Sequence, residues 1–504
     1  MALSVAATTT IFVFVSMQRG PLMWDESVFI YKAFGVSEGL RHLNLGAAWT
    51  AVATGDLLYP PVSSFAMGSM FAIFGSSQTV ALACTAVGFV ASAALLFKIG
   101  CLLDEKQGHI VGLIASLLFL GSPLLMEYAG TNMLEVPGTL TTLLAIWAYL
   151  WHLRRGTEMT ALATGLALAL TFFTKYNYGL FAIAAVGVCQ LTIRQWQPWR
   201  RENLWLWVPV VALGYLWFTM EGKWNGFVAF ATNASSGLSL AESLLYYPRV
   251  FFTEYSSSIL LGIVVILSGL GALKWIKEPN VRFLLIFFAI GFGAMAKHPL
   301  KADRYIATVV PMLFLVAAFT LAQGYDRLTS TGWRRVAAAL GVLMFLPSAL
   351  LYADGVPRLV TRNRPAWSSF PWPYRALYKA VDMVLADIDP KVPTTFTGMI
   401  NQWSPEYIRW RFEMAHPGSR LYFDHLEMGR CNFVSMELLP GSPYLTAEYF
   451  TYNAKRVKEA RDRLVPRVQA GVRREGIFLP EGIKVVIVKD AVVTPQRSAK
   501  DPIR

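Results

Sequence analysis

Eleven apolar segments recur along the chain, and nothing else constrains its folding as strongly. A bilayer core is crossed by about 20 apolar helical residues. The candidates are Ala2–Met17, Thr79–Ile99, Ile110–Met126, Pro137–Leu153, Thr160–Phe173, Gly179–Ile193, Leu204–Met220, Ser256–Leu273, Phe283–Ala296, Ile306–Ala322 and Val336–Tyr352. A shorter stretch rich in Gly and Ser, Pro61–Gly75, is expected to form a re-entrant or interfacial helix. An odd number of spans puts the two termini on opposite sides of the membrane. The pattern predicts a polytopic α-helical membrane protein.

Composition agrees. Of 504 residues, 55% are hydrophobic and only 15% charged, whereas soluble domains carry about 25% charged residues. The net charge of +13 reports topology and contact with anionic lipid before nucleic-acid binding. No basic run with interleaved aromatics stands clear of the spans, so nucleic acid is not an expected partner. With the N-terminus inside, the inward loops hold Lys98, Lys106, Arg154, Arg155, Arg194, Arg200, Arg201, Lys274, Lys277, Arg282, Arg327, Arg334 and Arg335. The hairpin Glu127–Glu135 faces outward and has neither Lys nor Arg. This asymmetry places the long first loop, residues 18–77, and everything after Tyr352 outside.

Residues 1–353 therefore read as a transmembrane domain, and 354–504 as a separate extracytoplasmic one. Thr394–Met399, Leu421–His425 and Lys484–Lys489 read as strands, Pro405–Ala415 and Ala447–Arg474 as helices. Alternating strands and helices predict a small α/β domain.

The pair Asp25-Glu26 follows the first apolar segment. Carboxylates at a bilayer edge are costly unless something uses them. Asp25 suits two roles, a general base for an attacking hydroxyl or the N-cap of the helix-like run that follows. Glu135 lies two residues before Pro137, at the outer mouth of the next span. Nearby Thr131 and Asn132 suit either a sugar hydroxyl or a turn.

The outward cations are more telling. Lys175 occupies a hairpin a few residues long, and Lys297-His298-Pro-Leu-Lys301-Ala-Asp303-Arg304-Tyr305 packs three strong cations into another. They breach the charge asymmetry, and a phosphate ligand would justify the breach. Arg304 can engage phosphate bidentately, while the lysines add point charge. The alternative is a surface hairpin touching anionic headgroups, with Asp303 pairing Arg304. No Walker loop, dinucleotide fingerprint, nucleophile elbow or zinc-protease motif is present. The histidines are scattered, so no metal site is expected. A divalent cation bridging Asp25 and Glu135 is compatible with the pattern but not indicated.

Taken together, these motifs resemble the GT-C superfamily of polyprenyl-phosphate-sugar-dependent glycosyltransferases. The closest branch holds protein O-mannosyltransferases and lipid A aminoarabinose transferases. Trp24-Asp25-Glu26 is similar to its first-loop acidic motif, and Tyr59-Pro60-Pro61 and Phe74-Gly75-Ser-Ser-Gln to its next segments. Ser122-Pro123 with Asn132-Met-Leu-Glu135 resembles its second acidic loop. Leu170-Thr-Phe-Phe-Thr-Lys175 and Arg304-Tyr305 with Pro311 resemble its later elements. The likeness runs from Met1 to about Ala322.

The resemblance implies that Asp25 is the catalytic base, with Glu26 beside it, and that Glu135 is the second loop acid. It places Lys175 and Arg304 near the donor phosphate, with Lys297, His298, Lys301 and Tyr305 in the same run. Tyr59 stands where the lipid A branch has Lys, and Glu135 where the family usually has Asp; with Asn132, Tyr59 is expected to touch substrate. The implied activity is inverting transfer of a sugar from a polyprenyl-phosphate donor to a hydroxyl on a glycan, lipid or protein. It would take place at the outer face of a bacterial plasma membrane, with no required cofactor. The alternative is a polytopic transporter or lipid flippase for a phosphate-bearing substrate, which would favour broken-helix pairs in two repeated halves. No such repeat occurs.

Overall fold

The computed structural model describes residues 24–53, 59–192, 200–220, 222–232, 240–298 and 301–328, and parts of 330–339 and 382–493. The chain divides into two compact units: Met1–Met17 with Gly35–Thr361, and Gln18–Phe34 with Arg362–Arg504.

The first unit is helical. Its helices are the end of α1 (Trp24–Arg41), α2 (Leu45–Ala53), α3 (Val62–Phe74), α4 (Gln78–Leu103), α5 (Gly108–Leu120), α6 (Pro123–Ala129), α7 (Glu135–Arg155) and α8 (Glu158–Thr174). There follow α9 (Tyr176–Thr192), α10 (Arg201–Phe218), α11 (Lys223–Thr232), α12 (Leu240–Val250), α13 (Ile259–Gly271), α14 (Pro279–Lys297) and α15 (Val310–Asp326). A π-helical turn, Phe251–Tyr255, follows α12, and a 3-10 turn, Asp303–Ile306, precedes α15.

Nine of the eleven expected spans coincide with these helices. The first, Ala2–Met17, and nearly all of the last, Val336–Tyr352, lie outside the described residues. Among the described residues, α4 and α14 are long and apolar enough to cross a membrane, and the bent pair α5–α6 makes a third; α3, α8, α15 and the stretch Ile259–Trp275 are shorter apolar helices. The others are too short, or, like α7 and α10, too polar at their ends. The expected single span Ile110–Met126 is broken: α5 and α6 meet at 71°. The cause is local. Gly121 ends α5 and Pro123 occupies the first turn of α6, where its missing N–H costs nothing.

Local chemistry sets the hairpins. Gly156, at φ 59°, closes α7 in the left-handed conformation, and Thr157 with Thr160 forms the capping box that opens α8. At the other end of α8 a single extended residue, Lys175 (φ −155°), separates it from α9. Close helix contact relies on small residues. A Cβ on Gly100 would stand 2.3 Å from the Gly112 backbone, and one on Gly112 would stand 2.4 Å from the Phe97 carbonyl.

This alternation gives the first unit two chemically different ends. At one, Arg154 and Asn280 donate to the Leu102 carbonyl (2.6 and 3.1 Å), Gln323 to Asp104 (2.6 Å) and Gln107 to Asp326 (3.2 Å). This is the end of the basic loops. The other end gathers the start of α7, the α8–α9 break and the 3-10 turn before α15.

The second unit contains a six-stranded mixed sheet: β1 (Thr394–Thr397), β2 (Leu421–Phe423), β3 (Gly429–Leu438), β4 (Val468–Gln469), β5 (Val472–Phe478) and β6 (Ile483–Val493). The order is β2-β1-β3-β6-β4, with β5 also on β6. β1 runs parallel to β2 and β3, while β6 runs antiparallel to β3, β4 and β5. Cys431, Phe433 and Ala491 form one core cluster, with Val488 packed against them, and Val434, Val485 and Ile487 are buried as well. The three expected strands are present, and residues 408 and 410–413 of the expected helix Pro405–Ala415 are helical. The helix expected over Ala447–Arg474 is corrected at its end: β4 and the start of β5 occupy Val468–Arg474, while 447–467 lie outside the described residues. Just beyond its end, Lys484 of β6 meets Glu475 of β5 across the ladder at 2.8 Å.

Candidate active site

Glu135 is the first residue of α7 and is buried to 2% exposure; its Oε1 accepts from Lys175 Nζ at 2.7 Å. The Arg304 Nε stands 3.9 Å from the same oxygen. Lys175 is 14% exposed and Arg304 28%. Two cations far apart in sequence thus converge on one buried carboxylate. Among the described residues Glu135 Oε2 has no hydrogen-bond partner. Aromatic faces line the pair: Lys175 Nζ lies 4.3 Å from the Tyr178 ring centroid and 6.0 Å from that of Tyr305, and Arg304 lies 5.6 Å from Tyr305.

The turn carrying Arg304 is held from several sides. Asp303 Oδ1 accepts from the Arg304 amide (2.7 Å) and from the Tyr128 hydroxyl (3.3 Å). Tyr255 donates to the Asp303 carbonyl (2.9 Å) and Tyr178 to the Arg304 carbonyl (3.0 Å). Asp303 therefore serves the backbone of its own turn. Burial pushes its carboxyl above the ordinary 3.8, against the pull of the Arg304 amide, Tyr128 and the Arg304 charge.

An expected outcome follows for Asp303. A carboxyl raised by folding contributes stability that is present at low pH and lost as pH rises from 3.8 through the folded value. Asp303→Asn keeps an acceptor for both donors and removes the desolvated charge. It should unfold at the same or a higher temperature at neutral pH and lose that pH dependence; Asp303→Ala, which orphans two donors, should unfold earlier by about 1–3 kcal/mol. Thermal unfolding in detergent across pH separates the two.

The remaining expected residues are placed as follows. Lys301 donates to the Met295 and Ala296 carbonyls (2.9 and 2.7 Å) and lies 5.4 Å from the Tyr247 ring. It caps the C-terminal turn of α14, a favourable position for a cation, and burial lowers its ammonium below the ordinary value. Lys297 ends α14 exposed, and His298 is half-buried against Tyr305, ring centroids 6.0 Å apart. Asn132 is buried before α7 and Tyr59 half-buried before α3. Asp25 and Glu26 belong to the second compact unit, Asp25 half-buried and Glu26 buried. Asp25 is helical and lies in the first turn of α1, so it is not an N-cap. The carboxylate pair at a helix start is instead favoured by the macrodipole. Among the described residues no group of three or more His, Cys, Asp or Glu could hold a metal ion.

Residues 59–224 match the family model described as dolichyl-phosphate-mannose-protein mannosyltransferase. Among solved structures, ArnT from Cupriavidus metallidurans in the apo state matches with a TM-score of 0.64 at 15% identity, covering 98% of this chain and 99% of that one. The same protein bound to undecaprenyl phosphate gives 0.63 at 15% identity with the same coverage. The chain has the GT-C fold. A further GT-C match is the oligosaccharyltransferase AglB from Archaeoglobus fulgidus in complex with an inhibitory peptide and a dolichol-phosphate. It scores 0.53 at 9% identity, over 96% of this chain and 74% of that one. No curated protein sequence matches the chain. The resemblance carried by the short motifs is thus borne out in sequence over 59–224 and in fold over nearly the whole chain.

The charges Glu135, Lys175 and Arg304, legible in the sequence, meet here; the tyrosines around them were not legible there. Tyr128, Tyr178 and Tyr255 are each at most 1% exposed, and two of them sit within three residues of a flagged charge, Glu127 or Lys175. Lys223 was missed as well; it is buried over the Trp217 ring at 4.7 Å.

Proposed function

We propose that the protein transfers one sugar from a polyprenyl-phosphate carrier to a hydroxyl on a glycan, lipid or protein acceptor, at the outer face of a bacterial plasma membrane. The observation that carries this reading is the convergence of Lys175 and Arg304 on buried Glu135, at the end of a GT-C bundle opposite the basic loops. Preset cations stabilise charge that develops on a leaving group without reorganising during the reaction. A departing prenyl phosphate monoester gathers such charge.

In the proposed step Asp25 takes the proton of the acceptor hydroxyl, whose oxygen attacks the anomeric carbon from the face opposite phosphate. The bond from that carbon to the phosphate oxygen breaks, the electron pair leaves with the phosphate, and configuration inverts. Glu135 anchors the two cations through Oε1, and its buried Oε2 suits a sugar hydroxyl. Asn132, Tyr59 and Tyr305 complete the proposed sugar and phosphate contacts, and Lys297 and His298 add positive charge at the rim. No metal is required. No observation favours the transporter reading.

The test uses the purified full chain with polyprenyl-phosphate [14C]mannose or the corresponding aminoarabinose donor, incubated with a cell-envelope fraction. Label should enter the acceptor fraction with stoichiometric release of prenyl phosphate. Label that only changes leaflet, still carrier-bound, would replace the enzyme with a flippase.

A further inference from the structure

Three buried phenols from three different elements converge on two consecutive residues. Tyr128 of α6 and Tyr255 of the π-helical turn hold Asp303, while Tyr178 of α9 holds the Arg304 carbonyl at 3.0 Å. Tyr178 differs from the other two because its ring face also carries the Lys175 ammonium, 4.3 Å from the centroid. One side chain therefore ties together the residues that carry both cations: its hydroxyl holds the Arg304 backbone and its π-face holds the Lys175 ammonium. Its ring is seated against α7: a Cβ on Gly138 would stand 2.7 Å from Tyr178 Cδ2. Gly138 lies three residues after Glu135, so the same helix sets both the carboxylate and the seat of the ring. A tyrosine that merely filled space would need any one acceptor for its hydroxyl. This one is fixed by Gly138, by a carbonyl of the Arg304 turn and by an ammonium.

We infer that Tyr178 is the positioning residue that sets the spacing between Lys175 and Arg304, and with it their fit to a phosphate monoester. The inference rests on the proposed phosphate reading of that pair and deepens it. Tyr178 acts through the cations rather than on substrate. Removing its hydroxyl should loosen Arg304 while leaving the ring, and hence Lys175, in place.

The experiment compares Tyr178→Phe, Arg304→Ala and the double variant in the full-length protein. It measures donor KM, kcat, inhibition by undecaprenyl phosphate and thermal unfolding. Tyr178→Phe should weaken undecaprenyl phosphate inhibition and raise donor KM about tenfold, the scale of one lost buried hydrogen bond, with a smaller change in kcat. In the Arg304→Ala background the same change should alter either constant less than about twofold, since residues acting as one unit are not additive. A full tenfold loss in both backgrounds, or no loss in the wild-type background, overturns the inference. If Arg304→Ala itself leaves donor and undecaprenyl phosphate binding unchanged, the phosphate reading fails first. If Tyr178→Phe does not fold, Gly138→Ala, which displaces the same ring from its other side, should weaken undecaprenyl phosphate inhibition in the same direction. Unchanged inhibition there also overturns the inference.

Discussion

Asp25→Asn should reduce sugar transfer by a factor on the order of 10²–10⁴, the usual contribution of a positioned general base, while donor binding persists. The substitution is nearly isosteric and removes only the capacity to accept a proton. Its structural cost is small. Asp25 sits in the first turn of α1, where an acid gains about 0.3–1 kcal/mol from the helix dipole, and the adjacent Glu26 keeps that turn acidic. Inhibition by undecaprenyl phosphate and the thermal unfolding profile should therefore match the wild-type protein, leaving kcat as the quantity that falls. Near-normal kcat in Asp25→Asn would remove the base from the proposed mechanism and leave the phosphate site to stand alone. A fall in stability as large as the fall in kcat would make the residue a structural acid of the unit that also holds the tail.

How much of this was legible depends on what each residue's neighbours had to be. The helices could be read because lipid imposes one requirement, a long apolar run, and Gly156 with Thr157 marks a hairpin within the sequence itself. The α5–α6 bend was missed although its signal, Gly121-Ser-Pro123, was present, because apolar residues continue on both sides of it. In the tail, the stretch Ala447–Arg474 reads as helix through its interspersed Glu and Arg, yet its last three residues open β5. Among the described residues β5 pairs with β6, and its described side chains are largely exposed, so the sequence there carries little strand signal. Lys175, Glu135 and Arg304 stood out as charges at apolar boundaries, and the structure brings these three together. The tyrosines that hold them did not stand out. In a chain with 20 tyrosines a Tyr near a span end reads as an interfacial residue. Only tertiary packing reveals that three hydroxyls end on the backbone or carboxylate of one turn.

Lys175→Ala should be the most disruptive single change at the site, because it acts on stability and chemistry at once. It leaves Glu135, almost fully buried, without the ammonium 2.7 Å away, and removing one partner of a buried pair costs about 3–5 kcal/mol. Arg304, at 3.9 Å, is too distant to replace that hydrogen bond. The variant should yield little folded protein, and that result alone would say nothing about phosphate. Pairing Lys175→Met with Glu135→Gln separates the two effects. Both charges go, the side-chain volumes are roughly kept, and replacing a buried ion pair by uncharged groups of similar size is often close to neutral for stability. The double variant should regain most of the unfolding temperature lost in Lys175→Ala. Transfer should not return, since a missing preset donor at a developing charge costs about 10²–10³ in kcat. Recovery of both stability and turnover would reduce Lys175 and Glu135 to a structural pair. Recovery of stability alone assigns the Lys175 charge to the departing phosphate.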